Sequence, residues 1–236
     1  MANRVAVVGV GQTRHKSKHK DVSIAGLVRQ AAERALADAG CEWQDIDALV
    51  LGKAPDMFEG MTMPELYLTD ALGGNGKPVI RVHTAGSVGG STAIVAANYV
   101  QSGRYNRVLT VTFEKQSESN ATWALSPRMP FVPHVNAGAG GFFAPYMRQY
   151  METYKAPDHI GCMVAVKDRL NACRNPYAHL QIPNIDLAMV QQSPMLWEPL
   201  RFLESCPSSD GACALVIANE ELALRAPALM VVTHDR

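Results

Sequence analysis

Apolar segments separated by polar ones predict five strands in this chain. The first segment, RVAVVGVG, is continuously apolar rather than alternating, which is typical of a strand buried on both faces of a sheet. The predicted strands are Arg4–Gly11, Ile46–Gly52, Lys77–His83, Arg107–Lys115 and Ala212–Ala218.

Between the first four strands, apolar residues recur at helical spacing. A helix is predicted from Ser23 to Ala39, because Ser23 suits its start and Gly40 suits its end. A short helix is predicted over Met63–Leu72. The helix after Ser87 is apolar nearly all round, which predicts that it is buried on all sides. This order of strands and helices predicts an α/β fold with a mainly parallel sheet.

The pattern changes after Glu114, where the chain becomes rich in Ser, Asn, Pro and Gly. An irregular loop is predicted there, followed by helices around Phe142–Tyr154 and His159–Ala172 and a short helix near Leu187. No strand is predicted between residues 116 and 204. We therefore expect an insertion of roughly ninety residues between the fourth and the last strand.

The balance of charged residues argues against one class of ligand. The chain has 236 residues, and its 22 Lys and Arg residues equal its 22 Asp and Glu residues in number. Proteins that bind nucleic acid usually carry a basic excess, so this composition argues against a nucleic-acid partner. It remains compatible with a small-molecule enzyme and with an obligate oligomer.

Cysteine usage and the N-terminus indicate the compartment. The five cysteines are odd in number and scattered, without a CxxC pair, so neither a disulfide framework nor a zinc site is predicted. The N-terminus leads directly into a strand instead of a signal peptide, and no apolar stretch approaches the roughly 18 residues of a membrane span. We expect a soluble, cytoplasmic protein without a resident metal ion.

Two motifs near the N-terminus have features of ligand sites. The segment GVGQTR (Gly9–Arg14) begins like a dinucleotide-binding fingerprint, but Arg14 stands where the third glycine is needed. A nicotinamide cofactor is therefore not predicted. The basic run Arg14–Lys20 is either a solvated loop or a contact for the phosphates of a ligand such as coenzyme A.

Ser87 lies in the Gly-rich turn between the third strand and the apolar helix. The free amides and the dipole at a helix start favour negative charge. A cysteine there would ionise easily and attack an acyl group, whereas a serine needs a neighbouring base, and His83 is the nearest histidine in sequence. Three roles remain open for Ser87: nucleophile, N-cap of the helix, or support for an anionic oxygen.

This turn resembles the thiolase superfamily, most closely the sterol-carrier-type thiolases and the lipid-transfer proteins of steroid side-chain degradation. In SVGGSTAIVAA, Ser87 stands on the position of the nucleophilic cysteine, and the residues from Gly90 onward match the start of the buried helix. Further similar blocks are VAVVGVGQT, DAGCEWQDIDALVLG and SPMLWEPLRFLESCPSSDGACALVIANEE. The resemblance covers nearly the whole chain.

The resemblance implies the N-terminal half of a thiolase, an α/β fold with a mixed five-stranded sheet and helices on both faces. It divides the chain into a core over 1–115, an inserted loop region over 116–204 that covers an acyl-CoA site, and 205–236, the last core strand and the start of a further domain. Gly90, His134, Asn136 and Gly138 are then candidate substrate contacts. His134 and Asn136 could equally be surface turn residues, and the Gly138–Gly141 run could serve only a tight turn.

Two departures from the family pattern shape the functional hypotheses. Ser87 replaces the cysteine, and the chain has neither the GHP histidine nor the CxG cysteine of the family's second half. The segment PALMVVTHDR looks like the first strand of that half, cut short, so truncation is one expectation. Without that half, a large apolar surface should be exposed on the sheet and its helix.

Two functions are compatible with these departures. The first is an acyltransferase or an enzyme that makes or breaks carbon–carbon bonds in acyl-CoA substrates, without another cofactor. The second is a non-catalytic subunit that pairs with another chain. Under either, the resemblance implies a homodimer and allows a small OB-fold partner that binds acyl-CoA.

Overall fold

The computed structural model of the chain describes residues 4–54, 58–126 and 137–227. The strands are β1 (Val5–Gln12), β2 (Ala48–Gly52), β3 (Val79–Val82), β4 (Arg107–Lys115), β5 (Met195–Trp197), β6 (Leu200–Arg201) and β7 (Asp210–Asn219). The α-helices are α1 (Ile24–Ala39), α2 (Pro64–Leu68), α3 (Val88–Gln101), α4 (Ala121–Ala124), α5 (Gly138–Tyr154), α6 (Ile160–Ala172), α7 (Leu187–Gln192) and α8 (Glu220–Ala223).

Five strands form one mixed sheet in the order β1-β7-β4-β2-β3. β2 pairs in parallel with β3 and β4, whereas β7 is antiparallel to both of its neighbours, β1 and β4. The mixed five-stranded sheet is confirmed. The prediction of a mainly parallel sheet is wrong, because β7 inserts between β1 and β4 in the opposite direction. β1, β2, β3 and β4 consequently share one direction, and their C-terminal ends meet at one end of the sheet.

α1 covers one face of the sheet and closes the larger core. The Ser23 hydroxyl accepts a hydrogen bond from the amide of Gly26, and Gly40 ends the helix with φ of 63°, so both predicted ends are confirmed. α1 also lies directly on the backbone of β1. A Cβ atom at Gly11 would stand 2.1 Å from the carbonyl oxygen of Ala31, so only glycine allows this approach.

α3 lies on the opposite face, over a smaller core that contains Ala48 and Val50 of β2. Its buried residues are Thr92, Ala96 and Val100, whereas Ile94 is 63% exposed. Helices on both faces are therefore confirmed, but the prediction that this helix is buried on all sides is wrong. The sheet covers one side of α3, and the other side presents small and apolar residues to the surface.

In the described residues of the segment 116–204, helices predominate over strands. α5, α6 and α7 agree with the helices predicted around Phe142–Tyr154, His159–Ala172 and Leu187. The prediction that this region is free of strands is wrong, since β5 and β6 pair as an antiparallel hairpin. These strands are too short for a hydrophobic period to reveal them. α6 and α7 share a small separate core, and the domain boundaries at residues 115 and 204 stay predictions.

In residues 4–54, 58–126 and 137–227, no helix is both long and apolar enough to cross a membrane. The same ranges hold no group of three or more His, Cys, Asp or Glu side chains arranged to bind a metal ion. The cytoplasmic location stays a prediction from the cysteine usage.

Candidate functional site

The C-terminal ends of the parallel strands carry the polar residues of the candidate site. Lys53 follows β2, the Ser87 turn follows β3, and Glu114 stands one residue before the end of β4. In open α/β sheets, ligands bind outside these strand ends. These polar residues therefore lie at the end of the sheet where ligands are expected to bind.

The Ser87 turn is a strained connection between β3 and α3. Ala85–Ser87 form one turn of 3₁₀ helix, and Ala85 has a φ of 50°, which residues other than glycine rarely adopt. Strained backbone of this kind concentrates at functional sites. The residues of the turn from His83 to Ser87 are exposed, so a ligand can reach them.

Ser87 occupies the N-cap position of α3, but its hydroxyl does not cap the helix. The hydroxyl donates instead to the carbonyl oxygen of Thr84, at 2.9 Å. The N-cap hypothesis for this side chain is therefore wrong. The reason is its backbone, with φ of −91° and ψ of 3°, which differs from the extended conformation that turns a serine oxygen toward the first helical amides.

Open space surrounds the first turn of α3. Cβ atoms added at Gly86, Gly89 or Gly90 would meet no atom within 4 Å. Amides in the first turn of a helix lack partners within that helix and favour a negatively charged oxygen. Gly90, predicted as a substrate contact, thus lies where such an oxygen could be bound.

The structure brings the remaining predicted contacts together only in part. His134 and Asn136 lie outside the described residues. Gly138 is buried at the start of α5 with φ of 60°, and its amide donates to the Ser126 hydroxyl at 2.7 Å. A Cβ atom at Gly138 would stand 3.2 Å from a methyl group of Thr122. The tight turn accounts for this glycine, and contact with a substrate stays a prediction.

Sequence analysis missed a buried group of charged residues, Lys53, Glu59 and Glu114, here called the Lys53 cluster. The Lys53 Nζ atom lies 2.5 Å from Glu59 Oε2 and 3.4 Å from Glu114 Oε2. The side chains of Lys53 and Glu59 are fully buried, and that of Glu114 is 19% exposed. The amide of Ala54 donates to Glu114 Oε1. A lysine directly after a continuous apolar strand, LVLGK, was the available signal.

Burial determines the protonation of Glu114. Loss of solvation raises the pKa of this carboxyl to about 8, and the negative charge of Glu59 acts in the same direction. Lys53 and the Ala54 amide oppose the rise without cancelling it. Glu114 therefore holds a proton at neutral pH.

The free energy of unfolding should fall as the pH rises from about 4.5 to about 8. In this window Glu114 is protonated in the folded state and ionised in the unfolded state, so the folded state binds more protons. The contribution of Glu114 should reach at most about 1.4 kcal/mol per pH unit. Urea unfolding across this range measures it. The Glu114→Gln variant should show a shallower fall, and equal slopes for the two proteins would contradict the assignment.

The basic run Arg14–Lys20 is anchored to β7 rather than freely solvated. The backbone of Lys16 pairs with that of Asp210, and the His19 amide donates to Asp210 Oδ2 at 2.8 Å. The His19 ring is buried, and its Nε2 atom lies 2.8 Å from the carbonyl oxygen of Arg14. A contact of the remaining basic side chains with ligand phosphates stays a prediction.

Comparison with known proteins agrees with this architecture. Residues 5–163 match the family described as "Thiolase, N-terminal domain". Sterol carrier protein 2 of Gallus gallus is 26% identical over 245 residues, which cover 95% of this chain and 43% of that protein. The steroid side-chain-cleaving aldolase of Thermomonospora curvata is 31% identical over 240 residues, which cover 94% of this chain and 58% of that protein.

A solved structure named Ltp2-ChsH2(DUF35) aldolase has a TM-score of 0.75 and 28% sequence identity, covering 97% of this chain and 59% of that chain. The chain thus spans about half of the length of the curated relatives that it matches. The family match extends over more than half of the residues and includes β1 to β4, both covering helices and the Ser87 turn. The chain therefore belongs to the thiolase family, as a member matched through the N-terminal domain.

Proposed function

We propose that the protein processes acyl-CoA thioesters in lipid or steroid degradation and makes or breaks a carbon–carbon bond in them. One observation carries the proposal: Ser87 is exposed at the start of α3, in open space, with its hydroxyl proton directed to a carbonyl oxygen rather than a base. The name of the steroid side-chain-cleaving aldolase supports carbon–carbon cleavage in a steroid side chain.

Ser87 binds the thioester oxygen in this scheme and does not attack the acyl group. In retro-aldol cleavage, a base removes the proton of a β-hydroxyl group, the carbon–carbon bond breaks, and negative charge develops on the thioester oxygen. The first-turn amides of α3 and the Ser87 hydroxyl stabilise that oxygen. Rotation about the Cα–Cβ bond of Ser87 turns its O–H from the Thr84 carbonyl to the substrate.

The Ser87→Ala variant should lower kcat for carbon–carbon cleavage by about a hundredfold to a thousandfold, because one donor to the developing oxyanion is lost. It should bind the substrate with little change in KM. The measurement is steady-state cleavage of a β-hydroxyacyl-CoA by the full chain together with any companion that co-purifies. Thr110→Ser is the control. It changes a buried residue of β4 and should keep kcat.

A nucleophilic Ser87 gives a different result. Mass spectrometry of the wild-type protein after mixing with a 3-ketoacyl-CoA would then show an acyl adduct on Ser87, which Ser87→Ala would abolish together with all turnover. Complete absence of turnover and of acyl-CoA binding in the wild-type assembly would contradict the proposed function itself.

A non-catalytic subunit is the second candidate, and the exposed side of α3 favours it. Ile94 is 63% exposed on this helix, and β3 leaves one edge of the sheet unpaired among the described strands. Exposed apolar faces and open strand edges mark surfaces that another chain covers. The two-part name of the Ltp2-ChsH2(DUF35) aldolase supports a partner chain, either a second copy or a small OB-fold protein.

The native mass of the protein from its own source distinguishes these assemblies. A 25.6 kDa subunit that purifies with a different chain would support the subunit hypothesis. A mass of twice that value without another chain would support a homodimer. Turnover of acyl-CoA by the isolated chain would contradict a non-catalytic role.

A further inference from the structure

The Lys53 cluster lies beneath the first turn of α3. Cβ atoms added at Gly52 would meet Thr92 Oγ1 at 2.2 Å and Thr112 Cγ2 at 2.6 Å, so β2, β4 and α3 are in close contact there. Alternate residues of a strand point to the same face, so Glu114 projects to the α3 side as Thr112 does. Glu114 therefore belongs to the face that carries the candidate site.

The standard rise per residue of strands and helices shows which residue of α3 lies at the same level as Glu114. Two strand residues beyond Thr112 advance about 6.6 Å. α3 runs back against the strands, and four residues from Thr92 to Val88 span about 6 Å. Glu114 is thus level with Val88, the first residue of α3. Val88 packs against the small apolar cluster of Ala54, Phe58 and Ala124, and the amide of Ala54 donates to Glu114, which agrees with this placement.

The net charge of the cluster changes with the protonation of Glu114. Among the described residues, Lys53 and Glu59 are the charged groups that act on its carboxyl, and the first turn of α3 carries no acidic residue. The centroid of the Phe58 ring lies 5.7 Å from Lys53 Nζ, so an aromatic ring borders the cluster on one side. With Glu114 protonated, the cluster is neutral. With Glu114 ionised, it carries one negative charge below the turn that should receive an anionic oxygen.

We infer that Glu114 is a positioning residue for the thioester-oxygen site: it holds Ala54 under α3 and keeps the cluster beneath Ser87 free of negative charge. The inference rests on the proposed function. Burial provides the protonated carboxyl at neutral pH, because it raises the pKa of Glu114 to about 8. Above that pH, repulsion should oppose the developing oxyanion.

The test uses acetoacetyl-CoA, whose enolate carries a negative oxygen and has its own ultraviolet absorbance. The full chain, with any companion that co-purifies, is titrated at about pH 7 and about pH 9, and the affinity for the enolate is taken from that absorbance. At about pH 7 wild type and Glu114→Gln should bind it equally, because the cluster is neutral in both. At about pH 9 the variant should bind it roughly tenfold more tightly.

The control is Glu118→Gln, which removes an exposed carboxylate that pairs with Lys115 and should match wild type at both pH values. If the role of Glu114 were purely structural, Glu114→Gln should bind the enolate more weakly than wild type at both pH values. That result, or equal binding by all three proteins at about pH 9, would overturn the inference and leave the proposed function standing. Absence of bound enolate in every protein at both pH values would overturn the proposed function and the inference with it.

Discussion

Lys53→Met should destabilise the protein by about 3–5 kcal/mol, the largest effect that the structure predicts for a single substitution. The fully buried ammonium group of Lys53 lies between the carboxylate of Glu59 and the protonated carboxyl of Glu114. Methionine fills a similar volume but leaves the buried carboxylate of Glu59 without its cation. Urea unfolding of the full chain, monitored by circular dichroism, measures the loss.

Two further variants separate charge from volume in this result. Lys167→Met makes the same replacement at an exposed pair, where Nζ lies 3.5 Å from Asp168, and should change stability by less than about 0.5 kcal/mol. Adding Glu59→Gln to Lys53→Met should recover much of the loss, because the unpaired charge of Glu59 disappears. A loss after Lys53→Met no larger than that after Lys167→Met would contradict the described burial of the cluster.

Gly11→Ala should destabilise the protein by about 3 kcal/mol, because the added methyl group collides with backbone. Its Cβ atom would stand 2.1 Å from the carbonyl oxygen of Ala31 and 2.4 Å from the amide nitrogen of Ala35. Backbone atoms of α1 cannot rotate away as a side chain can. The helix must move as a body, and its contacts with the larger core loosen. Thermal unfolding measures the effect.

Gly89→Ala is the matched control for that substitution. Its Cβ atom would enter open space at the start of α3, so the same chemical change meets no atom within 4 Å. Alanine is also the better helix former, which predicts a gain of about 0.5–1 kcal/mol. Opposite signs at the two glycines are the expected result. Equal effects would show that α1 does not approach β1 as closely as described.

Local sequence pattern predicted the elements of the core because local physics forms them. Ser23 and Gly40 bound α1 through contacts within a few residues, and the apolar runs of β2 and β4 follow from burial on both faces. The place of β7 could not be predicted from the residues alone. An apolar run does not indicate whether the strand pairs in parallel or antiparallel. Only the family resemblance implied a mixed sheet.

The candidate site stays a prediction, although the start of its helix was predictable. The Gly-rich turn indicated that a helix begins after Ser87, yet the direction of the Ser87 hydroxyl follows from backbone angles that the sequence does not specify. The Lys53 cluster is assembled from three separate segments, so no spacing in the sequence reveals it. Its members meet only after β2 and β4 have paired.

The place of β7 between β1 and β4 makes completion of the sheet a late event in the synthesis of the chain. Val5 of β1 lies opposite Asn219 of β7, and Lys115 of β4 lies opposite Asp210. At about 5–20 residues per second, a ribosome needs roughly 5–20 s after Lys115 to produce β7. During that time β1 and the edge of β4 that later pairs with β7 remain unpaired on the nascent chain, whereas the other edge of β4 can pair with β2. Contacts so distant in sequence also slow folding, so newly made protein should depend on chaperones more than its size suggests.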